Sequence, residues 1–327
     1  MLYIENNCLD PWFNLSVEEF YLNNKEIEDD ILMLWQNNES IIIGRHQNIV
    51  SEVNVNFANL NNIKIARRIS GGGAVYHDLG NLNYTFITSF NNGVDLNYKI
   101  FADTVIAALQ EMGVNASRSG RNDIIVDNKK ISGTAQACVG NRLMFHGTLL
   151  YDLNADVAAK ALNVDKTKLE AKGIKSVKSR IGNLKPYFPE NFSINMFKER
   201  LKTSFLCLEN SRSRVIESEE LESINDLYDN KHSTNEWIYG ESLRCNLISS
   251  RRLDCGNLDI YLNLDKGKIN QCRILGDYIG IYGTEDIEDA VIGCNYQYSE
   301  IKKALMKFNL SDYFGKISIE ELVACFL

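Results

Sequence analysis

The chain has 327 residues, 45% of them hydrophobic and 24% charged, with 43 acidic against 35 basic residues and a net charge of −8. This is a globular balance, which excludes collagen-like, coiled-coil and disordered chains and argues against a globally basic nucleic-acid surface. No apolar run approaches the roughly 18 residues of a membrane span, and the length predicts two domains.

Along the chain, Ser16-x-x-Glu19 reads as a capping box for a helix carrying Phe13, Val17, Phe20 and Tyr21 on one face. The short β-branched runs Ile31–Trp35 and Ile41–Ile43 predict buried strands. Ile63, Ile65 and Arg67 alternate as a strand entering a loop, and Leu82–Ile87 is a further strand. Phe101, Val105, Leu109 and Met112 mark a helix face that Gly113 is placed to stop. Ile124–Val126, Asp127-Asn128 and Lys130-Ile131 predict a hairpin, and Arg142–Tyr151 a long strand. Residues 191–229 read as mostly helical, and the pattern weakens between Trp237 and Asn246. Leu258–Leu262 and Ile269–Leu275 form a second hairpin around Asp265-Lys266-Gly267, followed by helices near 300–308 and 317–326. Strands and helices mix without βαβ alternation, so the fold class is α/β of the α+β kind. The expected domains are residues 1–245 and 246–327.

Three stretches carry chemistry. In Arg67-Arg68-Ile69-Ser70-Gly71-Gly72-Gly73-Ala74-Val75-Tyr76-His77-Asp78, three glycines open the backbone amides to a ligand, and two arginines can neutralise phosphate or carboxylate. Neither a dinucleotide fingerprint nor a P-loop is present, and glycines alone would suit a plain turn. After Asn122-Asp123, Lys129 and Lys130 must point to opposite faces of a strand, which directs one towards Ser132-Gly133-Thr134. Lys166, Lys168, Lys172, Lys175, Lys178 and Arg180 are opposed only by Glu170, a segment suited to covering an anion or to simple solvation. The eight cysteines form no C-x-x-C pair and read as reduced thiols; Met1–Glu5 shows no leader, so a cytoplasmic protein is expected.

Together these stretches resemble the lipoate–protein ligase family. The resemblance rests on Asp10-Pro11-Trp12-Phe13-Asn14-Leu15 with Glu18-Glu19, Ile43-Gly44-Arg45-His46-Gln47-Asn48, the arginine–glycine loop with Gly80-Asn81, Asn122-Asp123, Lys130-Ile131-Ser132-Gly133, His146-Gly147-Thr148-Leu149-Leu150 and Ser176–Arg180, in that order. Leu258 to Gly280 is similar to the family's accessory domain. One departure is Phe145, where relatives often carry a first of two histidines.

The resemblance implies a biotin/lipoate-ligase catalytic domain, a small C-terminal α/β domain that changes position during the cycle about a hinge near 237–250, and a two-step reaction. Lipoate and ATP with Mg²⁺ give lipoyl-AMP, and a carrier lysine then takes the lipoyl group. The implied carriers are lipoyl domains of 2-oxoacid dehydrogenase acyltransferase subunits or the glycine-cleavage H protein; neither nucleic acid nor membrane is an expected partner. By the same resemblance, Arg68 and the backbone of Gly73, Ala74, Val75 and Tyr76 contact the nucleotide. Ser70, Gly71, Gly72 and His77 line the acyl or adenylate pocket. Lys130 reaches the acyl carbonyl and α-phosphate, Asn122 and Asp123 hold the adenylate and the metal, and Lys178 and Arg180 belong to a covering loop. Ser132, Gly133, His146 and Gly147 complete the binding set. The alternative is a lipoyl or octanoyl transferase working through a cysteine thioester, for which Cys138 is the candidate.

Overall fold

Pro11 presets the first helical turn and Asp10 caps it, accepting hydrogen bonds from the Trp12 and Phe13 amides. Helix α1 (Pro11–Asn23) therefore begins upstream of the expected capping box. Ser16 lies inside the helix and donates to the Trp12 carbonyl, while Glu19 is buried against Lys231 and His232. The computed structural model describes residues 1–89, 98–120, 122–163, 180–206, 211–240 and 245–327.

The β-branched runs become strands β2 (Ile31–Trp35) and β3 (Ser40–Ile43), both fully buried. With β1 (Leu2–Glu5), β4 (Lys64–Arg67), β5 (Val75–His77), β6 (Asn81–Ser89), β7 (Ser117–Ser119), β8 (Asp123–Val126), β9 (Lys129–Val139), β10 (Arg142–Leu150) and β11 (Arg212–Val215) they build two sheets. The larger has the order β11-β1-β2-β6-β10-β9-β8-β7 and the smaller β4-β3-β5. Asp127 and Asn128 turn the β8–β9 hairpin with positive φ at both positions, the twist such a hairpin requires. Strand β11 falls within a stretch expected to be helical. Arg-Ser-Arg-Val pairs in parallel with β1 at the open edge of the sheet, where one row of backbone bonds forms a strand without an apolar alternation to announce it.

Helices α2 (Tyr98–Glu111) and α3 (Ile194–Phe205) cover one face of the large sheet, where Val105, Leu109, Phe197 and Leu201 meet Leu32, Leu34, Phe86 and Phe145. The other face packs on α1 and the small sheet, through Leu15, Val17, Ile42 and Ala66. Register sets the chemistry of this second face. Trp35, Asn83 and Thr148 form one row; Met33, Thr85, His146 and Ala135 the next; Ile31, Ile87, Met144 and Ala137 a third. Polarity falls from row to row.

A separate core joins strands β12 (Leu247–Leu253), β13 (Gly256–Asp265) and β14 (Lys268–Gly276) to the helices Glu285–Val291, Tyr298–Leu305, Leu310–Phe314 and Ile319–Phe326. The whole is a larger mixed α/β unit with a smaller C-terminal α/β unit. No helix among the described residues is long and apolar enough to cross a membrane.

Candidate active site

The glycine loop is wound around Arg68. Its guanidinium donates to the carbonyls of Ile42, Gly71 and Gly73 and to Ser70 Oγ, at 2.7–3.2 Å. Arg67 is spent in the same way on Gly44, Arg45, Gln47, Trp237 and Ile238, and burial lowers its pKa to about 10. Both side chains thus grip backbone carbonyls, and the positive charge acts through the shape of the loop. Of the three glycines only Gly73 is exposed. A Cβ at Gly71 would stand 2.7 Å from the Tyr278 carbonyl, and the Gly72 amide, at φ +91°, donates to that carbonyl.

Ser70 begins a buried chain. Its Oγ lies 2.7 Å from His146 Nε2; His146 Nδ1 lies 2.9 Å from Glu18 Oε1, to which Thr85 Oγ1 also donates. Trp35 Nε1 closes the chain on Thr85 Oγ1 at 2.9 Å. The residues come from the loop, β10, α1, β6 and β2. His77, on β5, meets the Trp35 ring edge-on. Burial first, then Arg68 and His146, lower its pKa to about 3, so its ring is neutral.

Asp123 anchors the other end. Lys130 Nζ stands 2.7 Å from its Oδ1 and Arg180 Nη2 stands 2.9 Å from its Oδ2. Burial pushes this carboxyl up, but the two cations outweigh it and hold it below the usual carboxylate range. Lys129 is exposed and Lys130 turns inward, as strand alternation requires. Gly133 makes room for the amine, since a Cβ there would lie 2.8 Å from Nζ. Asn122 is locked to Thr134 through its side chain and its carbonyl.

The structure redistributes the remaining predicted residues. Ser132 and Gly147 point to the helix-covered face: Ser132 Oγ lies 3.4 Å from the Tyr84 hydroxyl, and a Cβ at Gly147 would stand 2.4 Å from it. The Tyr76 side chain turns away to Glu39, and Ala74 packs in the same outer cluster; Val75 faces the site-side core. Phe145 stacks on Phe101, in the opposite direction from His146. Position 145 therefore lies off the site face. Lys178 and the basic segment before it lie outside the described residues. Sequence reasoning gave Glu18, Thr85, Trp35, Asn14 and Asn37 no role. The available signal was a polar residue set into an otherwise apolar face.

The C-terminal unit closes over this end of the sheet. His46 stacks on Tyr278 with ring centroids 4.9 Å apart, Arg45 pairs with Glu285 at 2.7 Å, and the Cys138 amide donates to Ile281. A small cleft of about 70 Å³ remains between Glu19, Arg45, Gly71, Gln136 and Lys231 on one side and Ile281 and Tyr282 on the other. Cys138 borders it, but burial pushes the thiol up to about 11 and its neighbours Leu143 and Ile281 are apolar. It is a protonated packing residue at neutral pH.

Comparison with known proteins identifies the family. Residues 10–206 match the lipoyl protein ligase A/B catalytic domain, and residues 242–326 the bacterial lipoate protein ligase C-terminus. The lipoate-protein ligase LplJ of Bacillus subtilis is 39% identical over 327 residues, 99% of either chain. The crystal structure of P. falciparum LipL1 in complex with lipoate superposes with a TM-score of 0.77 at 28% identity, covering 94% of both chains. A bipartite lipoate protein ligase from Thermoplasma acidophilum, described with its E2 lipoyl domain, gives 0.65 at 27% identity over 75% of this chain and 98% of its own. The catalytic and accessory matches, and identity sustained along the full length, establish that this chain belongs to the lipoate–protein ligase family, with both its catalytic and its C-terminal accessory domain.

Proposed function

We propose that adenylation takes place between the Ser70–His146 end and the Asp123–Lys130 end of the site face. The activity is ATP-dependent lipoate–protein ligation, with lipoate and ATP as ligands and lipoyl-carrier domains as acceptors. In the first step a lipoate carboxylate oxygen attacks the α-phosphorus of ATP and the bond to pyrophosphate breaks. Two anions must be brought together, so a cation has to be aimed at the reacting atoms. The observation that supports this reading is Lys130: its amine is held at 2.7 Å by one carboxylate, lies over a glycine, and keeps a side chain 21% exposed. It can exchange Asp123 for a phosphate oxygen and an acyl carbonyl without leaving its strand. In the second step the carrier amine attacks the acyl carbonyl, AMP departs and the amine loses a proton. Gly73 to Tyr76 would offer backbone to the nucleotide, and Arg180, with Lys178, would cover it.

Mg²⁺ belongs to the same proposal. Among the described residues no three carboxylate, histidine or cysteine groups gather around one point. Asp123 supplies a single carboxylate, which suits an ion carried in on phosphates; that ion would offset phosphate charge. Met33, Ile87, Ala137 and Met144 form the apolar end of the face, the surface suited to the dithiolane. We assign the domains to 1–245 and 246–327 and the protein to the cytoplasm. The carriers proposed are acyltransferase lipoyl domains and the glycine-cleavage H protein.

Pyrophosphate release and mass analysis for lipoyl-AMP, with ATP, Mg²⁺ and lipoate but no carrier, test the first step. Both products are expected. If neither forms, with or without an apo carrier, the proposal fails.

A further inference from the structure

Lys130 sits where its strand changes neighbours. Strand β9 pairs with β10 only from Thr134 to Val139, so beside Lys130 that edge of β9 has no strand of the sheet. On the other side the ladder with β8 is broken: Ile124 pairs with Ser132 and Ile125 with Lys130, and Ile131 has no opposite residue. Such a bulge disrupts pairing locally and re-aims the side chains around it. It sends Ile131 and Ser132 together to the helix-covered face and leaves Lys130 with Asp123 and Gly133 on the other. The amine therefore extends from an interrupted stretch of backbone.

The open edge is taken by residues that follow the basic segment. Ile181 bridges Lys130 in parallel, and the Gly182 amide donates to the Lys130 carbonyl at 2.9 Å. Arg180 meets Asp123 Oδ2 at 2.9 Å, on the same carboxylate whose Oδ1 holds the Lys130 amine. This peptide is fastened further along as well. The Asn183 side chain exchanges hydrogen bonds of 3.0 and 3.1 Å with the backbone of Leu153, and the Leu184 amide donates to Leu150 at 2.8 Å. Ile181 packs in the outer cluster with Ile41 and Leu150. The approach leaves no room for a side chain: a Cβ at Gly182 would stand 2.9 Å from Lys129 Cβ. Gly182 is not among the glycines with positive φ, so closeness and not backbone conformation calls for glycine here. Lys129 Cβ is fixed to its own backbone, so an added methyl must push one of the two chains aside.

We infer that Gly182 is a positioning residue for the reaction: with Ile181 it replaces the missing strand beside Lys130 and fixes the point from which the amine reaches. This assignment rests on the ligase reading above. A reacting group misplaced by about 1 Å can lose about 100-fold in rate, and a bulged strand open on its other edge does not set its side chains to that tolerance. The Ile181–Gly182 peptide supplies the missing constraint at the main chain, while Arg180 and Asp123 supply it at the amine.

Two measurements on the full chain test it. In pyrophosphate release, Gly182→Ala should lower kcat about 10- to 100-fold, with KM for lipoate and for ATP changed less than about threefold. Lys129→Gly, which removes the atoms that the new methyl meets, should leave kcat unchanged by itself and restore most of it in the double variant. Wild-type turnover in Gly182→Ala, or a loss that Lys129→Gly does not restore, overturns the inference. Trace labelling with acetic anhydride, read by peptide mass analysis, follows the Lys130 amine without substrates. Held against Asp123, Lys130 should label more slowly than the exposed Lys129 in the wild type and several-fold faster in Gly182→Ala. Equal labelling of Lys130 in the two proteins overturns the inference. If a melting curve shows Gly182→Ala unfolded, Ile181→Ala, which loosens the same peptide without a clash, takes its place in both measurements and should move kcat and labelling in the same directions. Labelling uses no catalysis, so a wild type that releases no pyrophosphate counts against the ligase reading, and the positioning of Lys130 is then judged by acetylation alone.

Discussion

Two carboxylates stand at opposite ends of the site face and are compensated in opposite ways. Glu18 is 1% exposed and is answered by a histidine, a threonine hydroxyl and, beyond them, Ser70 and Trp35. Asp123 is answered by two full cations whose side chains remain 21% and 36% exposed. A buried carboxylate must have every bond satisfied, because each orphaned group costs about 1–3 kcal/mol. The Glu18 cluster is therefore a frame with one arrangement. Charges that still touch water lose little when they change partners, so the Asp123 cluster is where groups can be exchanged during a reaction. The Glu18 end is held and the Asp123 end is free to move.

The strongest way to break this comparison is Lys130→Ala. Removing a charge aimed at a developing anion costs about 10²–10³-fold in rate. Because we propose that Lys130 answers both the phosphate and the carbonyl, adenylate formation should fall by at least that factor while the fold is kept. Pyrophosphate release and a melting curve read the two effects. Normal release would remove Lys130 from the chemistry.

The comparison sharpens with stability. Glu18→Ala leaves His146 and Thr85 without their acceptor in the core, and each orphaned donor costs about 1–3 kcal/mol. Asp123→Ala separates cations that can turn to water, and about 1 kcal/mol or less is expected. Urea midpoints of the two variants give the ratio directly. Equal costs would mean that both clusters are structural, and the distinction between frame and exchange site would be lost.

Much of this was legible in the sequence, because it rests on local signals. The β-branched runs, the Asp127-Asn128 turn and the inward lysine after it are each decided within a few residues. The arginines show where that stops. Their type suggested an anion, but Arg67 meets carbonyls about 170 positions away, and no local window shows that the loop will close around Arg68. Glu18 behaves likewise: its partners are 67 and 128 positions distant, so in α1 it reads as a charge on an amphipathic helix. The segment holding β11 reads as helix because pairing at a sheet edge is supplied by the neighbouring strand. Asn14 falls within the Asp10–Leu15 motif, yet its hydrogen-bond partners Gln36 and Asn37 arrive from beyond the end of β2.

The comparison between held and movable parts extends to the two domains, and here the expected effect is smallest. Where they meet, His46 is stacked on Tyr278 and burial, with Arg45, Arg67 and Arg273, lowers its pKa to about 3; Glu285 opposes this only in part. His77 is held equally low, but inside the catalytic core. An exposed histidine titrates near 6.5. Both rings therefore contribute stability that is complete above about pH 6.5 and is lost as pH falls towards 3, since the exposed state binds the extra proton. The slope is about 1.4 kcal/mol per pH unit for each histidine. Separating the domains would expose His46 and leave His77 buried. Acidification from pH 7 to 5 should thus loosen the accessory domain before the core, an effect visible as a larger radius of gyration in solution scattering. His46→Gln should abolish the pH dependence of that loosening, and His77→Gln should lessen only the pH dependence of global unfolding. If His77→Gln abolished the loosening as well, the two histidines would titrate as one unit, and the domain interface could not be treated as separable from the core.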